Sequence, residues 1–319
     1  MIRTILISLI LLLGVASCAN SESKSDSTSD VATEIASQLG AEVETDDAEE
    51  IADSLLVGTI VEVPQRQGWN RDLPKLNGEV KEVTVTRYLT TTESNKLVNI
   101  ESREKYKFNT RGDVVERIDY GSDNSVWKSC LYAYDADGRV VEQTWTNKDG
   151  SLDWKSCYKY DKRGALREEV VYNSDNTVRG NSVFKCDAAG NKLEEAHYNS
   201  QGDLQCVIFY SYNENGDLSS DIGYYGNGDF DYKHIYLYDA AGKIAEEVEC
   251  DEAGDPIRAI VYEYDSKGRI TQESAFADST SPATKWTYKY DSKGNVIKVS
   301  PINSNPEVYN ILTEYKIVY

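Results

Sequence analysis

The residues able to do chemistry in this chain are few in kind. Of 319 residues, two are histidines, His197 and His234, which leaves little room for His-based metal centres or for Ser–His and Cys–His nucleophiles. Carboxylates are plentiful, with 54 Asp and Glu against 34 Lys and Arg. Glu116, Glu142, Glu168 and Glu194 follow at a constant spacing, and Glu246 falls on the same register. On like strands of neighbouring hairpins, about 9–10 Å apart, two of them would approach the separation used by inverting glycosidases. Acid–base work needs one carboxyl raised and its partner lowered, and a regular column gives each member the same surroundings. Hydrogen bonding to Tyr or Lys across strands is therefore the expected role of these glutamates; no catalytic residue, metal site or cofactor is expected. Beyond Cys18 there are five cysteines, Cys130, Cys157, Cys186, Cys206 and Cys250. They lack paired metal-ligand spacing, and Cys130/Cys157 and Cys186/Cys206 fall on non-adjacent strands, too far apart for a disulfide. They read as small buried hydrophobes. Trp127, Trp145 and Trp154 are different: they cluster within one short stretch and break the pattern around them. Flat exposed rings serve as stacking platforms or interface anchors, so these three are the candidate ligand-binding residues.

The elements that position them come from a repeat. Glycines recur at 112, 138, 164, 190, 216, 242, 268 and 294, every step being 26 residues, the signature of a repeat architecture. Six before each glycine stand Tyr106, Tyr132, Tyr158, Phe184, Tyr210, Tyr236, Tyr262 and Tyr288; four before stand Phe108, Tyr134, Tyr160, Cys186, Tyr212, Tyr238, Tyr264 and Tyr290. Asp or Asn lies three before, and Val, Leu or Ile two after in all units but the fourth. Alternation at period two predicts a strand, Asp or Asn begins a turn, Gly closes it, and a branched residue opens the returning strand. A weaker turn twelve residues after each glycine (Asn147 to Gly150, Asn199 to Gly202) completes a strand–turn–strand–turn unit. The prediction is an all-β antiparallel hairpin meander, a solenoid of eight such units in a twisted or coiled open sheet. A third aromatic column, Tyr120, Tyr172, Tyr198 and Tyr224, lies eight after the glycine, and all three columns are expected to stack along one face as the core.

The motif Tyr-x-Tyr-Asp-x-x-Gly-x-Val/Leu/Ile resembles the YD repeat of Rhs-type proteins, over roughly residues 105 to 300. No Rhs core signature or toxin-like C-terminal domain accompanies it. In large members the resemblance implies a sheet wound into a closed shell around a cargo; eight repeats are taken as too few for that. The chain is more similar to small lipid-anchored envelope proteins built of such repeats, some of them associated with sugar binding.

Four segments follow. Residues 1–17 carry Arg3 and a short apolar run, too short for a permanent membrane helix and suited to a signal peptide. Val15-Ala16-Ser17-Cys18 resembles a bacterial lipobox, which implies lipidation at Cys18 and membrane attachment through that anchor; Ala19 after it implies sorting to the outer membrane, at the periplasmic face or the cell surface. Residues 18–65 form an acidic tether, disordered or with short helices; residues 66–104 an N-terminal β cap; residues 105–319 the repeat domain. A net charge of -20 argues against a nucleic-acid partner. The expectation is a non-enzymatic, lipid-anchored envelope protein that binds polysaccharide through Trp127, Trp145 and Trp154, or alternatively an envelope scaffold for protein partners, including an immunity-type protector.

Overall fold

The computed structural model describes residues 73–74, 76–91, 97–277, 284–303 and 310–319. All belong to the compact unit Asp46–Tyr319. The signal peptide, Cys18 and the acidic tether lie outside the described residues. Among those described there is no helix.

Each predicted hairpin forms. At the Asp turns, Asp135 N donates to Arg139 O and Gly138 N to Asp135 O, while Asp135 Oδ1 accepts from Asp137 N and Arg139 N. Gly138 then needs φ +84°, the left-handed residue that ends a type I turn in a three-residue hairpin loop. The second turns use the same geometry, and Asn124 and Asn176 hold the left-handed place at φ 64°, the non-Gly residue type that tolerates it best.

Eighteen strands result: β1 Glu82–Thr90, β2 Leu97–Phe108, β3 Val114–Tyr120, β4 Val126–Tyr134, β5 Val140–Asn147, β6 Leu152–Tyr160, β7 Leu166–Asn173, β8 Val178–Cys186 and β9 Lys192–Asn199, then β10 Leu204–Tyr212, β11 Leu218–Tyr225, β12 Phe230–Tyr238, β13 Ile244–Cys250, β14 Pro256–Tyr264, β15 Ile270–Ala277, β16 Thr284–Tyr290, β17 Val296–Asn303 and β18 Asn310–Val318. Each pairs antiparallel with its neighbours in sequence, and β1 pairs with both β2 and β18. The sheet closes on itself as a barrel. This overturns the expected open solenoid. The cap strands are the reason: β1 joins β18 through nine residue pairs, Glu82↔Val318 to Thr90↔Asn310, so no free edge is left to protect.

Register sets the tilt. Asp119 faces Lys128, and Lys128 faces Asn147, 28 residues on from Asp119 in a repeat of 26. A slip of two residues per unit accumulates to a shear of about 18 for 18 strands, which gives a tilt near 36° and a backbone diameter of roughly 30–35 Å. The same slip fixes which face is concave. Asp161 N bonds within its own hairpin, so Tyr160 and Tyr158 direct their backbone groups back towards β5; for L-residues in right-handed strands that slip forward, this places the tyrosine face inside. On that face Tyr106, Tyr158 and Phe184 are 1%, 5% and 5% exposed; on the other, Ala133, Lys159, Lys185, Ser211, Glu263 and Lys289 are exposed, while the small residues Val170, Ala196, Val207 and Val248 are buried there among their neighbours.

The aromatic columns therefore do not share a face. Those six and four before the glycine line the inner wall; Tyr120, Tyr172, Tyr198 and Tyr224 alternate onto the outer one. At the seam, Val83, Val85 and Tyr106 bury against Leu73, Leu76, Tyr132, Tyr315 and Ile317. Asn295, fully buried, clasps the ring shut: its Oδ1 accepts from Asn77 N at 2.6 Å, and its Nδ2 donates to Asn77 O and Tyr319 Oη.

Candidate functional site

The inner wall is built from two rows of tyrosine hydroxyls with different partners. Tyrosines four before the glycine reach back one unit to a backbone carbonyl: Tyr160 to Val140 at 2.8 Å, Tyr212 to Lys192 at 2.8 Å, and Tyr238, Tyr264 and Tyr290 to Leu218, Ile244 and Ile270 at 2.7 Å. Cations one after the glycine cover these rings, Arg139 over Tyr160 at 5.0 Å and Arg269 over Tyr290 at 4.6 Å, as cation–π pairs do. Tyrosines six before the glycine instead donate to an acid five after the preceding one. Tyr210 bonds Glu195 at 2.8 Å, Tyr236 Asp221 at 2.7 Å, Tyr262 Glu247 at 3.2 Å and Tyr288 Glu273 at 2.6 Å.

This acid column was not singled out in the sequence, yet it stands beside the glutamate column in the same alignment. Period-two alternation puts the two on opposite walls, and that is why the tyrosines find the fifth position rather than the fourth. The glutamates at the fourth position lie outside, and three of them pair with lysines: Lys107–Glu116 at 2.6 Å, Lys159–Glu168 at 2.5 Å, Lys185–Glu194 at 2.8 Å; Glu142 accepts from Thr144 Oγ1 instead.

Charge states on the inner wall follow from burial and partners. Burial pushes the Tyr158, Tyr210 and Tyr288 phenols well above their ordinary range, with the neighbouring carboxylates adding to the effect, so they remain protonated donors. Burial also works against the Glu195 carboxylate, but the hydrogen bond from His197, the Lys192 ammonium beside it and the hydroxyl of Tyr210 outweigh it and hold the group down to about 2. On the outer wall, burial raises Glu246. The carboxylates are thus not all alike, as the regular spacing implied. A lowered and a raised carboxyl do exist, but on opposite walls and two units apart, where they cannot act on one bond.

The regular wall breaks in the first to fourth units. Arg117 and Gln143 occupy the acid position there. Phe184 replaces the tyrosine that would serve Glu169, and Glu169 Oε1 turns back into its own hairpin to accept from Ser156 at 2.6 Å and Tyr158 at 2.9 Å. Next to this break stand two of the three predicted tryptophans. Trp145 and Trp154 are direct cross-strand partners, stacked at 5.6 Å and 22°, with Arg117 over Trp145 at 5.5 Å. Trp145 Nε1 and Gln143 Nε2 are buried and, among the described residues, without a hydrogen-bond partner. Trp127 does not join them. It faces outward, 61% exposed, with Lys128 over its ring at 5.2 Å.

Beside Trp154 the wall has a hollow of about 310 Å³, lined by Trp154, Ser156, Glu169, Val171, Gly180, Ser182 and His197, with Arg179, Asn181 and Tyr198 completing it. Ser182 Oγ and His197 Nδ1 lie 2.8 Å apart, and His197 Nε2 is 3.2 Å from Glu195. The five cysteines are all free: Cys130 and Cys250 buried, the others half-buried. Burial pushes the Cys130 thiol up to about 12, an inert group. No group of three metal-ligating side chains occurs among the described residues.

No family model matches the chain, and no curated protein is significantly similar to it. Solved structures with a similar arrangement include a porin-like protein from Bacteroides uniformis, 8% identical, covering 76% of this chain and 99% of that one at a TM-score of 0.42. The Tc holotoxin pore of Photorhabdus luminescens is 16% identical over 71% of this chain and 13% of that one, TM-score 0.36. The TcdB2-TccC3 complex is 14% identical over 71% and 15%, TM-score 0.31.

Proposed function

We propose that this is a non-enzymatic cell-envelope binding protein whose barrel stands in water and whose inner wall takes polysaccharide on the Trp145–Trp154 pair. The observation that carries the reading is the break in the wall: a stacked indole pair, with buried donors beside it, at the place where the tyrosine–acid ladder stops. Half-buried aromatic faces flanked by fixed polar groups suit sugar rings, whose C–H faces stack and whose hydroxyls need oriented partners. A water-facing outer wall is supported by Lys159, Lys185 and Lys289, all exposed there. A lipid-facing barrel needs an apolar outer band about 25 Å tall, and each lysine at its centre costs about 2–4 kcal/mol. Attachment through lipidated Cys18 fits such a barrel.

Trp127, exposed on the outer wall, favours a second reading, a scaffold that anchors a protein partner. A glycan screen on the full chain separates the two. Binding lost on Trp145→Ala or Trp154→Ala but kept on Trp127→Ala supports the inner-wall reading. Loss on Trp127→Ala alone moves the site outside, and absence of any glycan binding leaves the protein-scaffold reading.

A further inference from the structure

We infer that the hollow over Gly180 is a subsite for one neutral sugar ring, with Trp154 as its wall and Glu169, Ser182 and His197 as its polar floor; this rests on the inner-wall glycan reading and names its ligand class. The place is emptied by the sequence. In the neighbouring units the position equivalent to Gly180, ten before the repeat glycine, is filled by Trp154 on one side and Cys206 on the other. At Gly180 a Cβ would meet Tyr198 O at 2.6 Å, so close approach of β9 holds the residue to glycine, and the missing side chain leaves the backbone of β8 as floor. A space of about 310 Å³ is at the small end of ligand sites, roughly 300–1,000 Å³, suited to one ring with the rest of the polymer running along the wall.

Two features select the ring. Trp145 backs one face of Trp154, and Trp154 itself lines the hollow, so its other face is the one offered for stacking on sugar C–H groups. The polar atoms are held before any ligand arrives: both protein bonds to Glu169 fall on Oε1, which leaves Oε2 as acceptor for a ligand hydroxyl, and the Ser182–His197 contact fixes the imidazole. Charge selects as well. Glu169 stands in the floor and Glu195 lies behind His197, its charge answered by Lys192 at 2.6 Å. Arg179 lines the hollow from a strand position that is exposed. A uronate or sulfated ring would set its charge against Glu169; a neutral hexose meets only donors and acceptors.

The test uses the full chain, titrated with a soluble neutral glucan, a neutral mannan and a polyuronate, and followed by calorimetry. Binding of a neutral polymer, competed by a free hexose, with at least tenfold weaker binding of the polyuronate, is expected. Glu169→Gln and Ser182→Ala should each weaken neutral binding about tenfold, a loss of about 1.4 kcal/mol, with denaturation midpoints confirming that both variants fold. If wild type binds and Trp154→Ala abolishes binding while both floor variants bind as wild type, the subsite is overturned and the broader reading stands. If no polymer binds wild type, both fall. Should the floor variants fail to fold, acrylamide quenching in a Trp127→Phe background decides instead: a neutral polymer that leaves the remaining tryptophans as open to quencher as before overturns the subsite.

Discussion

The two halves of the inner wall are made from one repeat and differ in how completely they satisfy themselves. From Glu195 to Glu273 each acid five after the glycine receives the next unit's tyrosine, and each hydroxyl four before the glycine finds a carbonyl. From Arg117 to His197 the same backbone carries Gln143, the Trp145–Trp154 stack, Phe184 and Gly180, and buried donors remain at Gln143 and Trp145. Buried polar groups are normally partnered; Gln143 Nε2 and Trp145 Nε1 are exceptions side by side in this stretch, with Asn310 Nδ2 a further one at the seam, and the pair marks where the inner wall has given up self-satisfaction. A repeat advertises function by its irregular units, because the regular ones are explained by closure alone.

The largest effect that would test this contrast is on stability. Tyr106, 1% exposed in the seam core, belongs to the structural half of the argument, and Tyr106→Ala should cost about 3–5 kcal/mol. Trp154 is a larger ring but half-buried beside a hollow, so Trp154→Ala should cost about 2 kcal/mol or less. Urea midpoints for the two variants measure this directly. Equal losses would mean that the tryptophan pair is simply more core, and the distinction between the two stretches would dissolve.

A smaller effect is expected at the junction of the two stretches, at Glu195. Its carboxyl is held near 2 in the folded chain, below its ordinary unfolded value of about 4.3. A lowered folded value contributes stability that is fully present above the unfolded value and is lost as pH falls towards 2. Roughly 2–4 kcal/mol should therefore disappear between about pH 4.5 and pH 2. Urea unfolding of Glu195→Gln across that range should show a shallower acid loss than wild type. Parallel curves would show that His197, Lys192 and Tyr210 do not hold the charge as the geometry implies.

How much of this was legible beforehand follows from where each signal sits. The hairpins were, because Tyr-x-Tyr-Asp-x-x-Gly encodes strand and turn within seven residues. Closure was not. It depends on β1 and β18, which lie outside the repeat, and on a two-residue slip that exists only in the pairing of strands. The same alternation that places Tyr158 and Tyr160 on one face sends Tyr172 to the other, so the three aromatic columns were separable by counting across the turn. Trp145 and Trp154 were legible as interruptions, and their position on facing strands makes them a pair. Trp127 was grouped with them by proximity in sequence, but its parity in β4 is opposite to that of Cys130 and Tyr132, and it faces away. Gly180 carried no signal as a site, since a hollow is a property of what its neighbours fill.

The smallest effect tests the completeness of the regular stretch. His234 Nδ1 lies 3.3 Å from Asp221 Oδ2, whose other oxygen takes the Tyr236 hydroxyl, and Tyr232 and Tyr236 flank the imidazole at 4.9 and 6.5 Å. The hydrogen bond to Asp221 raises His234 above its ordinary value, burial opposes this, and the charges of Asp221, Glu247 and Glu249 add to the rise. A raised folded value contributes stability that is fully present below about pH 6.5 and is lost as pH rises through the folded value. The contribution should stay within about 1 kcal/mol, because the ring is partly solvated. NMR titration of the two imidazoles reads it without unfolding the protein: His234 should titrate above the ordinary value, and Asp221→Asn should bring it down by removing the hydrogen bond and the nearest charge together. If His234 ignores that substitution, the acid column of the regular stretch is not coupled to its neighbours, and the wall taken here as self-satisfied would have acceptors to spare. The search for a ligand would then have to cover the whole ring rather than its broken half.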